Sequence, residues 1–352
     1  MTLKAHILAR IATNGPISVA DYMADCLLHP TLGYYTTRDP LGAAGDFTTA
    51  PEISQMFGEL IGLSLAQTWL DQGAPTPFAL AELGPGRGTL IADILRATKG
   101  VSGFHAAAHI HLVEASPVLR AAQATALGPH KPTWHDTVAT LPDMPLFLIA
   151  NEFFDALPVR QFVRDGASWR ERHVGTQDDA LVFGLAQKSP QPAFAHRIDD
   201  TKDGDLIEDC PSLAPILSEI AHRIETHGGA ALIIDYGDWR SLGDTLQALL
   251  SHAPVDPLLA PGTADLTTHV DFEALCGAAT CAHSRVTPQG VFLERLGITQ
   301  RAQALANSLS GAALDEHIAA HRRLTHPSEM GNLFKVVGLF PTGKTPPPGL
   351  EP

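Results

Sequence analysis

The chain has 352 residues, of which 45% are apolar, so it is long enough to bury a substantial core in one large domain or two smaller ones. Its formal net charge of −14 argues against general binding to nucleic-acid phosphates and is compatible with a basic protein partner, although ordinary solubility is the simpler explanation. No apolar run approaches the roughly 20 residues that a membrane-spanning helix needs.

The cysteines and histidines do not have the spacing of a metal site. The residues considered are Cys26, Cys210, Cys276, Cys281, His283, His317 and His321. No group among them supplies three or four ligands at the spacing that a zinc site needs, so buried thiols and surface histidines are the simpler interpretation. Four cysteines without a Cys-x-x-Cys pair favour free thiols in a reducing cytosol.

The N-terminal segment predicts two helices. Residues 3–11 follow a helical pattern, and Ser18 begins a second helix as the first residue of a capping box. Lys4 and Arg10 give the first helix some likeness to a mitochondrial presequence, but it is short and leads directly into the second. We therefore expect the N-terminus to be part of the fold.

A loop rich in hydroxyl groups and turn formers follows, over residues 45–55. Such a loop is expected to lie over a ligand, with Thr49 and Pro51 as its contact residues. The alternative is that Thr49 caps a long helix predicted over residues 53–70, with Pro51 in its first turn. The two roles can coexist.

A glycine-rich loop follows the first predicted buried strand. Residues 82–88 read ELGPGRG, after the apolar residues 78–81 and before a helical pattern over residues 89–95. This order is typical of a nucleotide-cofactor loop, because glycines accept left-handed backbone angles and let a ligand approach a helix N-terminus. The candidate cofactor residues are Glu82, Gly84, Pro85, Gly86 and Gly88.

The spacing of this loop favours S-adenosylmethionine. It is Gly-x-Gly-x-Gly, and it has neither the Gly-x-Gly-x-x-Gly of dinucleotide-binding proteins nor the lysine of a P-loop. An acid just before the glycines suits a ligand with a sulfonium, an ammonium and a ribose. For the loop alone, a nicotinamide or flavin enzyme and a purely structural turn remain alternatives.

Acidic residues also close the next two predicted strands. Residues 109–114 end in Glu114, which we expect to accept hydrogen bonds from ribose hydroxyls. A short strand end at residues 134–136 places Asp136 where an adenine is often held, with an exposed turn as the alternative.

The candidate catalytic residues follow a continuous apolar run at residues 146–150, which predicts a strand buried on both faces. Asn151, Glu152 and Asp155 come next, beside Phe153. Open parallel sheets bind ligands at the carboxyl ends of their strands, and carboxylates next to apolar surface are strong hydrogen-bond acceptors. We expect this stretch to line the active site; the alternative is a loop whose aromatic residues fill the core.

The rest of the chain predicts an antiparallel insertion and a return to the core. The predicted division is an extension at residues 1–75, a core at residues 76–158 and 229–341, and an insertion at residues 159–228. His269 is a candidate base, although a lone histidine is more often structural. A single helix over residues 300–323 and a last strand over residues 330–337 complete the prediction.

Taken together, these segments resemble the MidA-like family, which includes the mitochondrial complex I assembly methyltransferase. The matching runs are residues 15–19, 33–35, 45–54, 82–90, 111–114, 151–158, 235–237 and 330–336. The resemblance implies the α/β fold of class I S-adenosylmethionine-dependent methyltransferases, with a Rossmann-like, mostly parallel seven-stranded sheet whose last strand is antiparallel. It also implies cofactor contacts at Gly84, Gly86 and Glu114.

The resemblance further implies methylation of an arginine in a protein, such as a subunit of respiratory complex I. Because an arginine guanidinium is always charged, we expect Glu152 and Asp155 to bind it and accept its proton, with Asn151 as the orienting residue. Asp46 and Glu52 are candidates to complete the pocket. Without a clear presequence, a bacterial cytoplasmic protein is the expectation.

Two other functions stay open at this point. One is an O-methyltransferase for a small molecule or peptide, with His269 as the base. The other is a cofactor-binding assembly factor that transfers nothing. The sequence leaves the oligomeric state open, a homodimer included.

Overall fold

A computed structural model of the protein describes residues 2–37 and 48–352, so that Asp46 lies outside the described residues. In chain order, the helices are α1 (Leu3–Asn14), α2 (Val19–Leu28), α3 (Tyr34–Thr37), α4 (Ala50–Ile53), α5 (Gln55–Asp71), α6 (Thr89–Ala97), α7 (Phe104–Ala107), α8 (Pro117–Leu127), α9 (Leu213–His227), α10 (Phe272–Ala278), α11 (Gln289–Arg295), α12 (Ile298–Ala306), α13 (Ala312–Thr325) and α14 (Met330–Leu333). The strands are β1 (Ile17–Ser18), β2 (Phe78–Leu83), β3 (Ala108–Val113), β4 (Thr133–His135), β5 (Leu146–Asn151), β6 (Arg160–Asp165), β7 (Ser168–Gln177), β8 (Ala180–Leu185), β9 (Leu206–Asp209), β10 (Gly229–Asp238), β11 (Gln247–Leu250), β12 (Ala253–Val255), β13 (Asp265–Thr267), β14 (Val270–Asp271), β15 (Ala282–His283), β16 (Thr287–Pro288) and β17 (Phe334–Phe340).

The chain divides into two compact units, each built from three segments. The larger unit comprises Thr48–Phe154, Ala214–Trp239 and Phe272–Pro352, and the smaller unit comprises Met1–Phe47, Asp155–Leu213 and Arg240–Asp271. These boundaries differ from the division predicted from the sequence, which placed residues 48–75 with the N-terminal extension and residues 240–271 with the core.

The larger unit is organised around a mixed sheet. Its strands lie in the order β15-β17-β10-β5-β2-β3-β4, and those from β10 to β4 are parallel. β17 runs antiparallel to β10 and lies between it and β15. The predicted α/β fold with an antiparallel last strand is confirmed.

The order of the strands reverses between β2 and β5. From β2 the chain continues outward through β3 to β4, and it then returns to place β5 on the opposite side of β2. In the β2–β5 register, Leu83 pairs with Ala150, so both strands end at the same edge of the sheet. Open parallel sheets bind their ligands at such a reversal, outside the carboxyl ends of the strands.

Two glycines allow α5 to pack closely against α6. A Cβ atom on Gly58 would lie 2.6 Å from Asp93 Cβ, and one on Gly62 would lie 2.9 Å from Ile94 Cα. Both distances are shorter than a normal contact, so only glycine fits at these positions. The helix that begins at the glycine-rich loop is therefore held against a buried neighbour along much of its length.

The smaller unit combines helices with antiparallel sheets. One sheet has the order β1-β7-β6-β9, with β8 added to β7, and another has the order β12-β11-β13. The antiparallel strands predicted around the Asp-Gly turn are confirmed, because β6 and β7 pair on either side of Gly166, which has a φ of 64°. Ser18 caps α2 as predicted, since its Oγ accepts a hydrogen bond from Asp21 N–H.

Three predicted elements need correction. The helix predicted over residues 53–70 begins at Gln55, because Ser54 is in an extended conformation and its Oγ accepts from Met56 N–H. The helix predicted over residues 300–323 is two helices, α12 and α13, which are separated by a segment ending at Gly311 with a φ of 56°. The last strand starts only at Phe334, after the short helix α14. No helix within the described residues is both long enough and apolar enough to cross a membrane.

Candidate active site

The glycine-rich loop joins β2 to α6 at the carboxyl edge of the larger unit's sheet. Gly84, Gly86 and Gly88 all have positive φ angles, of 59°, 53° and 84°. A Cβ atom on Gly84 would lie 3.0 Å from Phe153 Cδ2, so the loop passes tightly beside the residue that follows Glu152. Pro85 is buried, and its carbonyl accepts from Gly88 N–H at 2.7 Å, which closes the turn into α6.

Glu82 precedes this loop and is almost completely buried. The pKa of its carboxyl group is raised to about 8, chiefly by burial and also by the nearby charge of Glu114, while a hydrogen bond from the backbone of Ile91 acts in the opposite direction. Glu82 Oε2 has no hydrogen-bond partner among the residues that the structure describes. An acid in this state is poised to ionise when a cation binds beside it, because the cation favours the charged form.

Glu114 directly follows β3 and is also buried. Its Oε1 accepts from Ser116 N–H at 2.7 Å, and its Oε2 accepts from Gln123 Nε2 at 3.1 Å. Burial raises the pKa of Glu114, while these two hydrogen bonds act in the opposite direction. Sequence reasoning missed Gln123, because nothing in the pattern of a helix shows what a buried amide will contact.

The carboxyl end of β5 brings Asn151 and Glu152 together. Asn151 Nδ2 donates to Glu152 Oε1 at 3.1 Å, whereas Asn151 Oδ1 is buried with no partner in the described part of the chain. Glu152 has a φ of 51°, a left-handed conformation that costs a non-glycine residue about 1–2 kcal/mol. Backbone strain of this kind tends to occur at functional sites.

Asp235 anchors the residues after Glu152, a role that sequence reasoning also missed. It is fully buried near the end of β10, and its Oδ2 accepts from the N–H groups of Phe153 and Phe154 at 3.2 and 3.0 Å. Its Oδ1 accepts from Tyr236 N–H at 2.9 Å. The sequence signals were a polar residue near the end of a buried strand and its place in residues 235–237, one of the runs that resemble the MidA-like family.

The segment at residues 49–52 is fixed to this edge at two points. Ala50 N–H donates to Glu152 Oε1 at 3.1 Å, and Thr89 Oγ1 donates to Glu52 Oε1 at 2.5 Å. Thr49 is the N-cap of the short helix α4, although its side chain makes no capping hydrogen bond, and the long helix α5 is capped by Ser54 instead. Pro51 is buried within α4, as expected for a residue of its first turn.

Asp136 lies at the surface of the larger unit. Its side chain is 85% exposed and forms an ion pair with Arg120, whose Nη2 is 2.5 Å from Asp136 Oδ1. Arg120 also donates through Nε to the carbonyl of Glu114 at 2.8 Å. The pair therefore connects Asp136 to the backbone of the predicted ribose-binding acid.

Two candidate catalytic residues belong to the smaller unit. Asp155 is buried, and its carbonyl accepts from Thr268 N–H at 2.9 Å. His269, which follows Thr268 in the chain, donates its N–H to Thr245 Oγ1 at 2.8 Å. These backbone contacts connect the two candidates within this unit. In the described ranges, no group of three or more histidine, cysteine, aspartate or glutamate residues is placed to hold a metal ion.

The residues at the carboxyl edge of the larger unit's sheet fit S-adenosylmethionine as a ligand. Two buried acids, Glu82 and Glu114, suit a cation and ribose hydroxyls, and left-handed glycines leave the backbone open at the start of α6. Glu82 Oε2 and Asn151 Oδ1 are buried acceptors without a partner within residues 2–37 and 48–352, and hydrogen-bond donors of the ligand would satisfy them.

Comparisons with known proteins point in the same direction. Residues 60–291 match the model of the family Methyltransf_28, which is described as S-adenosyl-L-methionine-dependent methyltransferases. The chain is 37% identical to the human protein named protein arginine methyltransferase NDUFAF7, mitochondrial, over 96% of this chain and 82% of that protein. A Drosophila melanogaster homologue of the same name is 36% identical over 97% of this chain and 85% of its own length.

Solved structures resemble the whole chain as well. A COG1565 superfamily protein from Burkholderia thailandensis, crystallised with S-adenosylhomocysteine, superimposes with a TM-score of 0.83 at 28% identity. The match covers 99% of this chain and 94% of that one. S-adenosylhomocysteine is what S-adenosylmethionine becomes after it has lost its methyl group.

Proposed function

This chain belongs to the Methyltransf_28 family of S-adenosyl-L-methionine-dependent methyltransferases, and on that premise we propose that its methyl acceptor is an arginine side chain of a protein. The cofactor is S-adenosyl-L-methionine. Support for the acceptor comes from the names of the arginine methyltransferases that the chain resembles along almost its full length. It also comes from the position of Glu152.

The observation that carries the proposal is that Glu152 is held at the carboxyl end of β5, beside the glycine-rich loop. The ring of the next residue, Phe153, packs against Gly84, and the Glu152 carboxylate is oriented by Asn151 Nδ2 and Ala50 N–H. A carboxylate in this position matches a guanidinium, which has only hydrogen-bond donors and a permanent positive charge.

Each residue then has a distinct task. When bound, the cofactor supplies an electrophilic methyl group on a positively charged sulfur. Glu152 binds the guanidinium, aligns one nitrogen for in-line attack and accepts the proton which that nitrogen gives up. Asn151 keeps the carboxylate in position, and Phe153 covers the loop side of the site. Asp155, three residues further along the chain, stays a sequence-based candidate for the same task.

The decisive experiment compares wild type with Glu152→Gln on arginine-containing peptides. Glutamine keeps an oxygen that can accept from Ala50 N–H, but it can neither pair with the guanidinium charge nor take its proton. We expect methylarginine, identified by mass spectrometry, from wild type only, while calorimetry shows S-adenosylhomocysteine bound equally by both. Unchanged turnover in the variant would disprove the role of Glu152, and a lysine-substituted peptide serves as the acceptor control.

We extend the proposal to a subunit of respiratory complex I as the protein that is methylated. The sequence resemblance to the MidA-like family motivates this step, and the net charge of −14 is compatible with a basic partner. Mass spectrometry of complex I from cells with and without the gene tests it: the expected result is one methylated arginine that disappears on deletion. The cytoplasmic location and a homodimer stay predictions.

The two alternatives give different results in the same assays. An O-methyltransferase with His269 as its base would lose activity in His269→Ala and keep it in Glu152→Gln. A cofactor-binding assembly factor would capture its partner equally well with or without S-adenosylmethionine, and neither variant would change the methylation of any protein.

A further inference from the structure

The buried side chain of Gln123, on α8, connects three parts of the cofactor edge. Its Nε2 donates to the carbonyl of Gly86 at 2.7 Å and to Glu114 Oε2 at 3.1 Å. Its Oε1 accepts from Trp134 Nε1, on β4, at 2.8 Å. The side chain is completely buried, so these hydrogen bonds replace water.

The chemistry of the three partners leaves little choice of residue at this position. An indole N–H can only donate, whereas a carbonyl and an ionised carboxylate can only accept. The neighbour at position 123 must therefore present one acceptor to Trp134 and two donors to Gly86 and Glu114. A glutamine amide does this in one orientation, and the indole fixes which end is the oxygen.

These bonds hold Glu114 and the glycine-rich loop in a fixed relation. Glu114 has one oxygen on Ser116 N–H and the other on Gln123, so its carboxylate cannot rotate without losing a bond. Gly86 is in a left-handed conformation, and Gln123 fixes the direction of its carbonyl. A Cβ atom on Gly88 would lie 3.5 Å from the Gln123 Cα and Cγ atoms, which shows how closely α8 packs on the loop.

We propose that Gln123 is a positioning residue that sets the affinity for the ribose of the cofactor, by holding the Glu114 carboxylate against the glycine-rich loop. It touches no reacting atom and acts through Glu114. The inference rests on the cofactor and on the expected role of Glu114, and it does not depend on whether the methyl acceptor is an arginine.

The test is calorimetry of two ligands with wild type, Gln123→Met, Glu114→Gln and the double variant that combines these two substitutions. The ligands are S-adenosylhomocysteine and its analogue without ribose hydroxyls. Methionine matches glutamine in length but offers no donor to Glu114. We expect Gln123→Met to weaken binding of S-adenosylhomocysteine by about 10- to 100-fold, which is the range for lost hydrogen bonds to a buried charged group. For the analogue we expect a penalty at least about fivefold smaller, and in the double variant a penalty below the product of the two single ones.

Gln289→Met is the matched control. Gln289 is also a fully buried amide of the larger unit, and it donates to the carbonyl of Leu324 at 2.9 Å. This control should lose stability and keep the affinity of wild type for S-adenosylhomocysteine. If Gln123→Met does not fold, the isosteric Gln123→Glu replaces it; because it places a carboxylate beside two acceptors, its penalty should be the larger one.

The outcomes separate this inference from the earlier conclusions. Three results would overturn the role of Gln123 while the cofactor assignment stands. In the first, Gln123→Met loses the same affinity for both ligands, and in the second it keeps the affinity of wild type. In the third, Gln289→Met loses as much affinity for S-adenosylhomocysteine as Gln123→Met does. No binding of S-adenosylhomocysteine by wild type would overturn both. Failure to methylate arginine would count only against the proposed acceptor.

Discussion

Glu152 Oε1 accepts a hydrogen bond from the backbone N–H of Ala50, 3.1 Å away, so the candidate catalytic acid also satisfies the first turn of α4. Ala50 is the first residue of α4, and the N–H groups of a helix's first turn have no acceptor within the helix itself. The carboxylate proposed to bind the substrate is thus oriented by the segment that precedes α5. One side chain serves both structure and chemistry.

This double role predicts that two substitutions of Glu152 will differ. Glu152→Gln keeps an acceptor for Ala50 N–H, whereas Glu152→Ala leaves this buried donor without that acceptor, at a cost of about 1–3 kcal/mol. We expect urea denaturation to show lower stability for Glu152→Ala only, and hydrogen exchange at Ala50 to be faster in that variant. Equal stability of the two variants would contradict the capping role.

From the raised pKa of Glu82 we predict that cofactor binding depends on pH. Its raised pKa, about 8, means that the carboxyl group is largely protonated at pH 7 and ionises as a cationic ligand binds. Affinity for S-adenosylmethionine should therefore rise from pH 6 to pH 8 and level off above, with release of a proton at the lower pH values. Calorimetry in two buffers of different ionisation enthalpy measures that proton, and Glu82→Gln should abolish its release.

We predict that substitution of Gly84 lowers both the stability of the protein and its affinity for the cofactor. Gly84→Ala would force alanine into a left-handed conformation, at about 1–2 kcal/mol, and would bring its Cβ to 3.0 Å from Phe153. We expect weaker binding of S-adenosylhomocysteine and a lower Tm. Gly100→Ala is the matched control, because a Cβ atom there meets no atom within 4 Å, and it should behave like wild type.

We predict that substitution of Asp235 slows catalysis without weakening cofactor binding. Asp235→Asn replaces one of two acceptor oxygens with an NH₂ group that would face backbone N–H donors, leaving a buried donor unpaired at about 1–3 kcal/mol. The residues after Glu152 would shift, so we expect kcat to fall while the affinity for S-adenosylhomocysteine stays close to that of wild type. An unchanged kcat in a folded variant would show that Asp235 is only structural.

The parts of the fold that the sequence predicted correctly depend on local patterns. The glycine-rich loop, the buried run before Asn151 and the antiparallel pair around Gly166 can each be recognised within about ten residues, because turn chemistry and burial leave a periodic signature. The helix predicted over residues 300–323 failed because its alanine-rich pattern outweighed the single break at Gly311.

The contacts of the site could not be predicted in the same way. The Glu152–Ala50 bond joins residues 102 positions apart, and Gln123 reaches Gly86 across 37 positions. Side-chain direction over such separations follows from the packing of several elements at once, for which a single sequence carries no local signal. The role of Gly58 and Gly62 was missed for the same reason, because these positions require glycine only where α6 packs against α5.

The position of β17 within the sheet has a consequence for how the protein is made. Although β17 is the last strand in the described chain, it occupies an interior place between β10 and β15. During synthesis, the β10 residues that pair with β17, Ala231–Tyr236, lack this partner until about a hundred further residues have been made, so the sheet is complete only after residue 340. During that interval, the unpaired backbone groups of these β10 residues are open to pairing with a strand of another chain.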